Sequence, residues 1–302
     1  MEEKATIRKD NAVVTSAAYR TSQTIPLVFH FEPAAFESTA KRLKDCTVEK
    51  ATIEDRDIYL FDNFFSQEES NEMRAFSQAG EFGKSIYADQ ESREKGEEPA
   101  KAMANKEKWK LFQNPPQAIQ EIYKFYSYLA SKLDADVATL PWEMYDAHIC
   151  AAAVATNRVE KMSAESMELG KHEDYNTEKG LAFGLPVLYA KDIVHEGGFI
   201  NGDPGKPWLV SLMLYTTDEG FLPEYGMGTV FCNHTGQNEF KADCRHMRFV
   251  LFEGDIIHGI ETSNIPESKH VSRVSYVYKL TMNPKRADIS LKREFAELIG
   301  ER

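Results

Sequence analysis

Apolar and polar positions follow two rhythms along the chain. From Asp57 onward, Ile58, Leu60, Phe61, Phe64 and Phe65 read as a buried strand running into a turn. Ser66-Gln-Glu-Glu69 follows as a capping box, the serine oxygen meeting the third amide and the glutamate reaching back. Met73 and Phe76 at helical spacing then predict a helix over about 67–79, closed at Gly80. A second helix is predicted after Asn114-Pro-Pro116, since proline suits a first helical turn. Its Ile119, Ile122, Tyr126, Leu129 and Leu133 fall on one face and read as core rather than as a cofactor box. After about residue 140 the rhythm shortens. Segments 144–155, 209–216, 228–233, 239–243, 248–253 and 271–280 are apolar runs between Gly, Pro and Asn turns, which predicts strands. Helices first and many short antiparallel strands afterwards predict a mainly β fold with flanking α, a barrel or jelly roll with an N-terminal helical layer.

Residues 1–25 are polar and aperiodic and read as a tail or arm. No boundary divides 26–302, so one domain is expected, with the helical layer at about 57–135 and the barrel core at about 144–280. Residues 89–110 carry mixed charge and read as a solvated loop or exposed helix, or else as a lid. The segment from Tyr175 to Pro207, with Gly197-Gly198, Gly202 and Pro204-Gly205, reads as a long surface loop or a second lid.

Composition narrows the function classes. The 302 residues are 42% hydrophobic and 28% charged, which suits a globular core. Against 36 Lys and Arg stand 48 Asp and Glu, a formal net charge of −12. A nucleic-acid binder needs a dense basic surface and an anionic membrane prefers one, so a small molecule is the expected partner, with no nucleic acid and no membrane. The longest central apolar run, Ile149 to Ala155, is far short of the roughly 20 residues of a membrane span. The first residues show no apolar leader, and a cytoplasmic location is expected. Four cysteines without CxxC spacing disfavour structural zinc and a disulfide scaffold.

Three segments carry candidate chemistry. In Gly170-Lys-His172-Glu-Asp174-Tyr175, a strand would project His172 and Asp174 to one face, where they could grip adjacent positions of one metal. His30-Phe-Glu32 is a similar pair in the polar upstream region, so the spacing alone is weak. In Leu251-Phe-Glu-Gly-Asp-Ile-Ile-His258-Gly259 an apolar strand breaks at Gly254-Asp255 and resumes with a histidine, a ligand or a core histidine. In Val271-Ser-Arg273-Val-Ser275-Tyr-Val-Tyr-Lys-Leu280, Arg273 and Ser275 share one face and Val274, Tyr276 and Tyr278 the other. An arginine amid an apolar strand is costly unless it meets a carboxylate; otherwise the strand is an edge and Arg273 faces solvent, or it pairs with an acid of the protein. Two histidines and a carboxylate together form the facial triad of non-haem Fe(II) oxygenases, with positions left open.

With those residues in view, the chain resembles the 2-oxoglutarate- and Fe(II)-dependent dioxygenase superfamily. Trp208-Leu-Val-Ser-Leu-Met-Leu-Tyr215 and Gly226-Met-Gly228-Thr-Val-Phe231 are similar to its central strand and the Gly-rich turn that follows. Tyr59 to Glu69 is similar to the strand-to-helix entry of the prolyl-hydroxylase-like and phytanoyl-type branches. The likeness spans about 144–280, is looser over 57–80, and is poor in the first 50 residues and in the loops. Met227 interrupts the glycine pair, and the spacing from His258 to Arg273 is long, with Asn264 to His270 able to absorb it. The resemblance implies a double-stranded β-helix, Fe(II) held by His172, Asp174 and His258, and Arg273 with Ser275 on the distal carboxylate of 2-oxoglutarate. It implies hydroxylation of an aliphatic C–H by O2, with release of succinate and CO2. Desaturation or demethylation would use the same ligands. A cupin-like metal barrel without oxygenase activity and a protein or peptide hydroxylase are the alternatives. His195-Glu-Gly197 is similar to the motif of halogenating relatives, but Asp174 supplies the carboxylate those lack. The other histidines, His148, His234, His246 and His270, read as structural, and Cys232 and Cys244 as reduced thiols. Thr216-Thr-Asp218 and Tyr189 are expected to line the substrate space.

Overall fold

The computed structural model describes residues 6–7, 14–15, 33–84, 100–104, 107, 110–111, 114–139, 155–159, 171–176, 180–181, 201–206 and 208–300. The main sheet is antiparallel throughout. It is built around β11 (Trp208–Thr217), which pairs with β14 (Phe249–Glu253) on one side and β16 (Arg273–Pro284) on the other. Beyond β14 lie β4 (Arg56–Asp62) and the edge strand β3 (Thr47–Ile53). Beyond β16 come β8 (Ala155–Val159), β6 (Ala100–Met103) and β5 (Phe82–Lys84), while β7 (Ala135–Thr139) pairs further along β16. A smaller sheet runs in the order β13 (Asn238–Ala242), β12 (Thr229–Cys232), β15 (Ile257–Ile260). Two short hairpins stand apart: β1 (Thr6–Ile7) with β2 (Val14–Thr15), and β9 (Tyr175–Asn176) with β10 (Gly180–Leu181).

Period-2 alternation gives the main sheet two buried faces. One face carries Tyr59, Phe61, Val210, Leu212, Leu214, Phe249, Leu251, Tyr276 and Tyr278, and packs against the helices. These are α1 (Pro33–Asp45), α2 (Gln67–Ala79), α3 (Gln117–Lys132) and α4 (Leu291–Gly300). The other face carries Leu60, Met213, Tyr215, Val250 and Phe252 and meets Phe231 and Ala242 of the smaller sheet. Among the described residues no continuous ladder joins the two sheets, so the architecture is two facing antiparallel sheets with a helical layer, compatible with a sandwich or jelly roll. No described helix is long and apolar enough to cross a membrane.

The capping box forms as read. The Glu69 amide donates to Ser66 Oγ at 3.2 Å and the Ser66 amide donates to Glu69 at 2.7 Å. Such a cap contributes about 1 kcal/mol. Helix α2 occupies 67–79 and ends at Gly80, which is extended (φ −65°) rather than left-handed. Helix α3 starts after Pro116, and its five predicted apolar positions are all buried.

Several expectations need correction. Residues 100–103, expected in a loop or helix, form β6, because Ala-Lys-Ala-Met finds two partners in β5 and β8. The segment predicted as a strand over 144–155 lies outside the described residues except at Ala155, where β8 begins. The option that Arg273 sits on an edge strand fails, since β16 is paired on both sides. Helices α1 and α4 and the strand β3 were not predicted.

Candidate metal centre

His172 does not lie on a regular strand. It forms an isolated bridge with His258 at the start of β15, the amide of each donating to the other's carbonyl at 2.8 Å. Two residues on, the Asp174 amide donates to the Gly254 carbonyl at 2.8 Å, in the turn where the β14 strand breaks. His172 and Asp174 are thus fixed by backbone bonds to the segment that delivers His258. The i, i+2 geometry survives without the strand expected for it.

Three ligand atoms converge there. Asp174 Oδ1 is 3.5 Å from His172 Nε2 and 3.8 Å from His258 Nε2, and all three atoms lie within 4.8 Å of one another. An ion bound at about 2.1 Å by neighbouring donors holds them about 3 Å apart, so a small inward closure would complete the set. His258 Nδ1 donates to the Ile256 carbonyl at 2.9 Å, which leaves Nε2 with its lone pair toward the other two residues. Burial, with the neighbouring His172 adding to it, pushes the His258 imidazole down to about 3, so it is neutral at physiological pH, as a metal ligand must be. Asp174 and His258 are buried while His172 is partly open. Phe252 and Phe231 wall His258, at ring separations of 4.7 and 6.1 Å. The chemistry and spacing of these donors fit a divalent transition metal.

Arg273 begins β16 and projects onto the inner face of the main sheet, only 1% exposed. Among the described residues its Nε and Nη1 have no hydrogen-bond partner. Its guanidinium lies 5.3 Å over the Tyr215 ring and beside the Cys244 thiol, which burial pushes up to about 11 against the guanidinium's opposing pull. Arg248, the other buried arginine of that region, forks onto Asp62 at 2.8 and 2.5 Å. Ser275 shares the inner face with Arg273 and is also buried. A series of contacts on the inner face runs from Arg273 toward the trio. Tyr215 donates from its hydroxyl to Thr229 Oγ1 at 2.6 Å, and Thr229 lies two residues, about 7 Å of strand, from Phe231, the register partner of His258.

No protein-family model matches the chain, and neither does any curated protein sequence. Among solved structures the chain is similar to the crystal structure of HygX from Streptomyces hygroscopicus with nickel and 2-oxoglutarate bound. The identity is 10% and the TM-score 0.40, over 76% of this chain and 83% of that one. The geometry of this chain's own residues therefore carries the functional reading.

The remaining expectations divide. His246 is structural: Nδ1 accepts from the Thr217 amide at 3.0 Å, and burial pushes the imidazole down to about 4. His234 pairs with Glu54 at the surface. Cys232 and Cys244 are free and buried. Thr216, expected to line the substrate space, faces the helices instead, 2.8 Å from Ser77 Oγ. Asp218 accepts from the Ser272 amide and hydroxyl at 2.7 Å, while Thr217 is level with Arg273. His30, His148, Tyr189 and His195 lie outside the described residues, as does most of 175–207 and of 89–110. Two residues were missed. Ser211 donates to Asp174 Oδ2, and its signal was present as the lone polar residue within Trp208 to Tyr215. Tyr215, beneath Arg273, was read only as part of an apolar strand.

Proposed function

We propose that the protein is an Fe(II)- and 2-oxoglutarate-dependent dioxygenase with a double-stranded β-helix core, hydroxylating an aliphatic C–H of a small molecule. The observation that carries this reading is the Arg273 guanidinium, buried and partly unpaired, on the inner face that leads to a His-Asp-His group. A buried guanidinium that meets no carboxylate among the described residues is unfavourable, which supports reading the site as built for an anion from outside the chain. A dicarboxylate able to chelate a metal at one end satisfies both features.

His172, Asp174 and His258 would hold the metal, and Arg273 would receive the distal carboxylate of 2-oxoglutarate, with Ser275 adding a hydroxyl. Bound Fe(II) would supply O2 activation, coupling oxidation of 2-oxoglutarate to succinate and CO2 with insertion of one oxygen into the substrate C–H. The chain's own contribution is to bind and orient. The stacked Tyr215 ring steers the Arg273 fork, and the hydroxyl of Tyr215, tied to Thr229, fixes that ring. Met213, Val250, Phe231 and Phe252 make the surrounding face apolar and exclude water, which strengthens the guanidinium–carboxylate contact.

A cupin-like metal barrel without oxygenase activity shares the trio but has no use for Arg273. Fe(II)-dependent succinate release separates the two readings. The wild type is expected to release succinate, and Arg273→Ala to raise the 2-oxoglutarate requirement at least tenfold, about 1.4 kcal/mol. No release above a metal-free control would leave the cupin-like reading; an unchanged requirement would move the anchor elsewhere.

A further inference from the structure

The geometry points to Ser211 as a positioning residue that dictates how Asp174 engages the metal, an inference that rests on the metal-centre reading above. Ser211 is 1% exposed and stands in the middle of β11, held by ladders to both β14 and β16, where it is level with Phe252 and Lys279. A strand paired on both sides cannot shift its residues individually, so the hydroxyl is a fixed point. From there Ser211 Oγ donates to Asp174 Oδ2, while the other oxygen, Oδ1, is the one that faces both imidazole nitrogens.

The two carboxylate oxygens are therefore inequivalent. Oδ2 is engaged by a donor rooted in the main sheet, and Oδ1 is presented to the ion. The Asp174 backbone is tied separately to Gly254, so main chain and side chain are anchored from different elements, β14's turn and β11. A carboxylate held this way binds through one oxygen. Without the hydroxyl, Oδ2 loses the donor that draws it toward β11 and can turn toward the ion, occupying a coordination position that a chelating cosubstrate needs. Outer partners of metal ligands characteristically alter affinity by about 10–100-fold when removed. Ser211 thus links the rigid sheet to the number of open positions at the metal, and it does so without touching metal or substrate.

The test uses the full chain and Co(II), a redox-stable probe, titrated calorimetrically and followed by its visible d–d absorption. Wild type is expected to bind, and His172→Ala not to. Ser211→Ala should weaken Co(II) binding about 10–100-fold, with the apoprotein's melting temperature changed far less than the affinity. Once saturated, Ser211→Ala should show altered d–d bands, because Oδ2 has joined the coordination sphere; a merely structural role would leave the bands as in wild type. Ser211→Thr keeps the hydroxyl on a residue suited to strands and should restore both affinity and spectrum. Ser211→Ala binding within twofold of wild type with an unchanged spectrum would overturn the role of Ser211 while leaving the metal centre intact. Co(II) binding absent from wild type, or retained in His172→Ala, would overturn the metal centre itself and this role with it.

Discussion

The two faces of the main sheet are made from the same strands and are built to opposite rules. On the helix-facing side, Phe249 stacks on Phe61 at 4.2 Å and meets Phe64 and Phe125 edge-on at 4.9 and 5.4 Å. Buried acids there meet cations: Glu253 with Lys292 at 2.7 Å, and Glu69 with Arg42 at 2.8 Å. On the inner side the same β16 offers Arg273 and Ser275 in place of Val274 and Tyr276, and two nitrogens of the guanidinium have no partner among the described residues. The buried charges named on the helix-facing side meet opposite charges of the chain, whereas among the described residues Arg273 on the inner side meets no carboxylate. On the proposed reading, the contrast separates what holds the fold from what serves a ligand, although the residues concerned are neighbours in sequence.

The sharpest way to break the contrast is through stability. Phe249→Ala removes the centre of the aromatic cluster and is expected to cost about 3–5 kcal/mol in denaturant unfolding. A cost below about 1 kcal/mol would mean that the helix-facing side is not the stabilising one. Next comes Glu253, a buried acid on that face, facing Lys292, Asn201 and the Asp57 amide, with Asp255 nearby. Burial outweighs its cation and pushes its carboxyl from 4.5 to about 7. The folded state therefore holds a proton there that the unfolded chain has released, so stability is full below about pH 4.5 and falls as pH rises through 7. Glu253→Gln should flatten that decline, worth on the order of 3 kcal/mol, in unfolding midpoints measured across this window. An unflattened profile would place the titrating group elsewhere.

The smallest expected effect is the most telling about the inner face. Arg273→Met preserves volume and removes an uncompensated buried charge, so the ligand-free protein should keep its stability within about 1 kcal/mol or gain some. A loss of several kcal/mol would show that Arg273 serves the fold.

How much of this was legible depended on sequence distance. The alternation in Arg273-Val-Ser275-Tyr-Val-Tyr278 separates the two faces by itself, and the capping box at Ser66 marks the start of α2 without tertiary help. The same alternation, applied to β11, would have turned Thr216 toward the helices, where it lies. His172 and Asp174 were legible as a pair, but their support is a bridge to His258, 86 residues away in sequence, and not a strand. Strand β6 was hidden in a charged stretch because its partners, β5 and β8, supply the pairing that its composition does not advertise. Ser211 was visible as a polar interruption, yet its meaning needed Asp174, brought to it from 37 residues upstream.

The central claim is that His172, Asp174 and His258 hold a metal to which 2-oxoglutarate can add. Anaerobic titration of the protein with Fe(II) and then 2-oxoglutarate tests it most directly. A weak visible charge-transfer band is expected in wild type and is expected to be lost in His172→Ala. No band in wild type, or one that persists in His172→Ala, would contradict the claim.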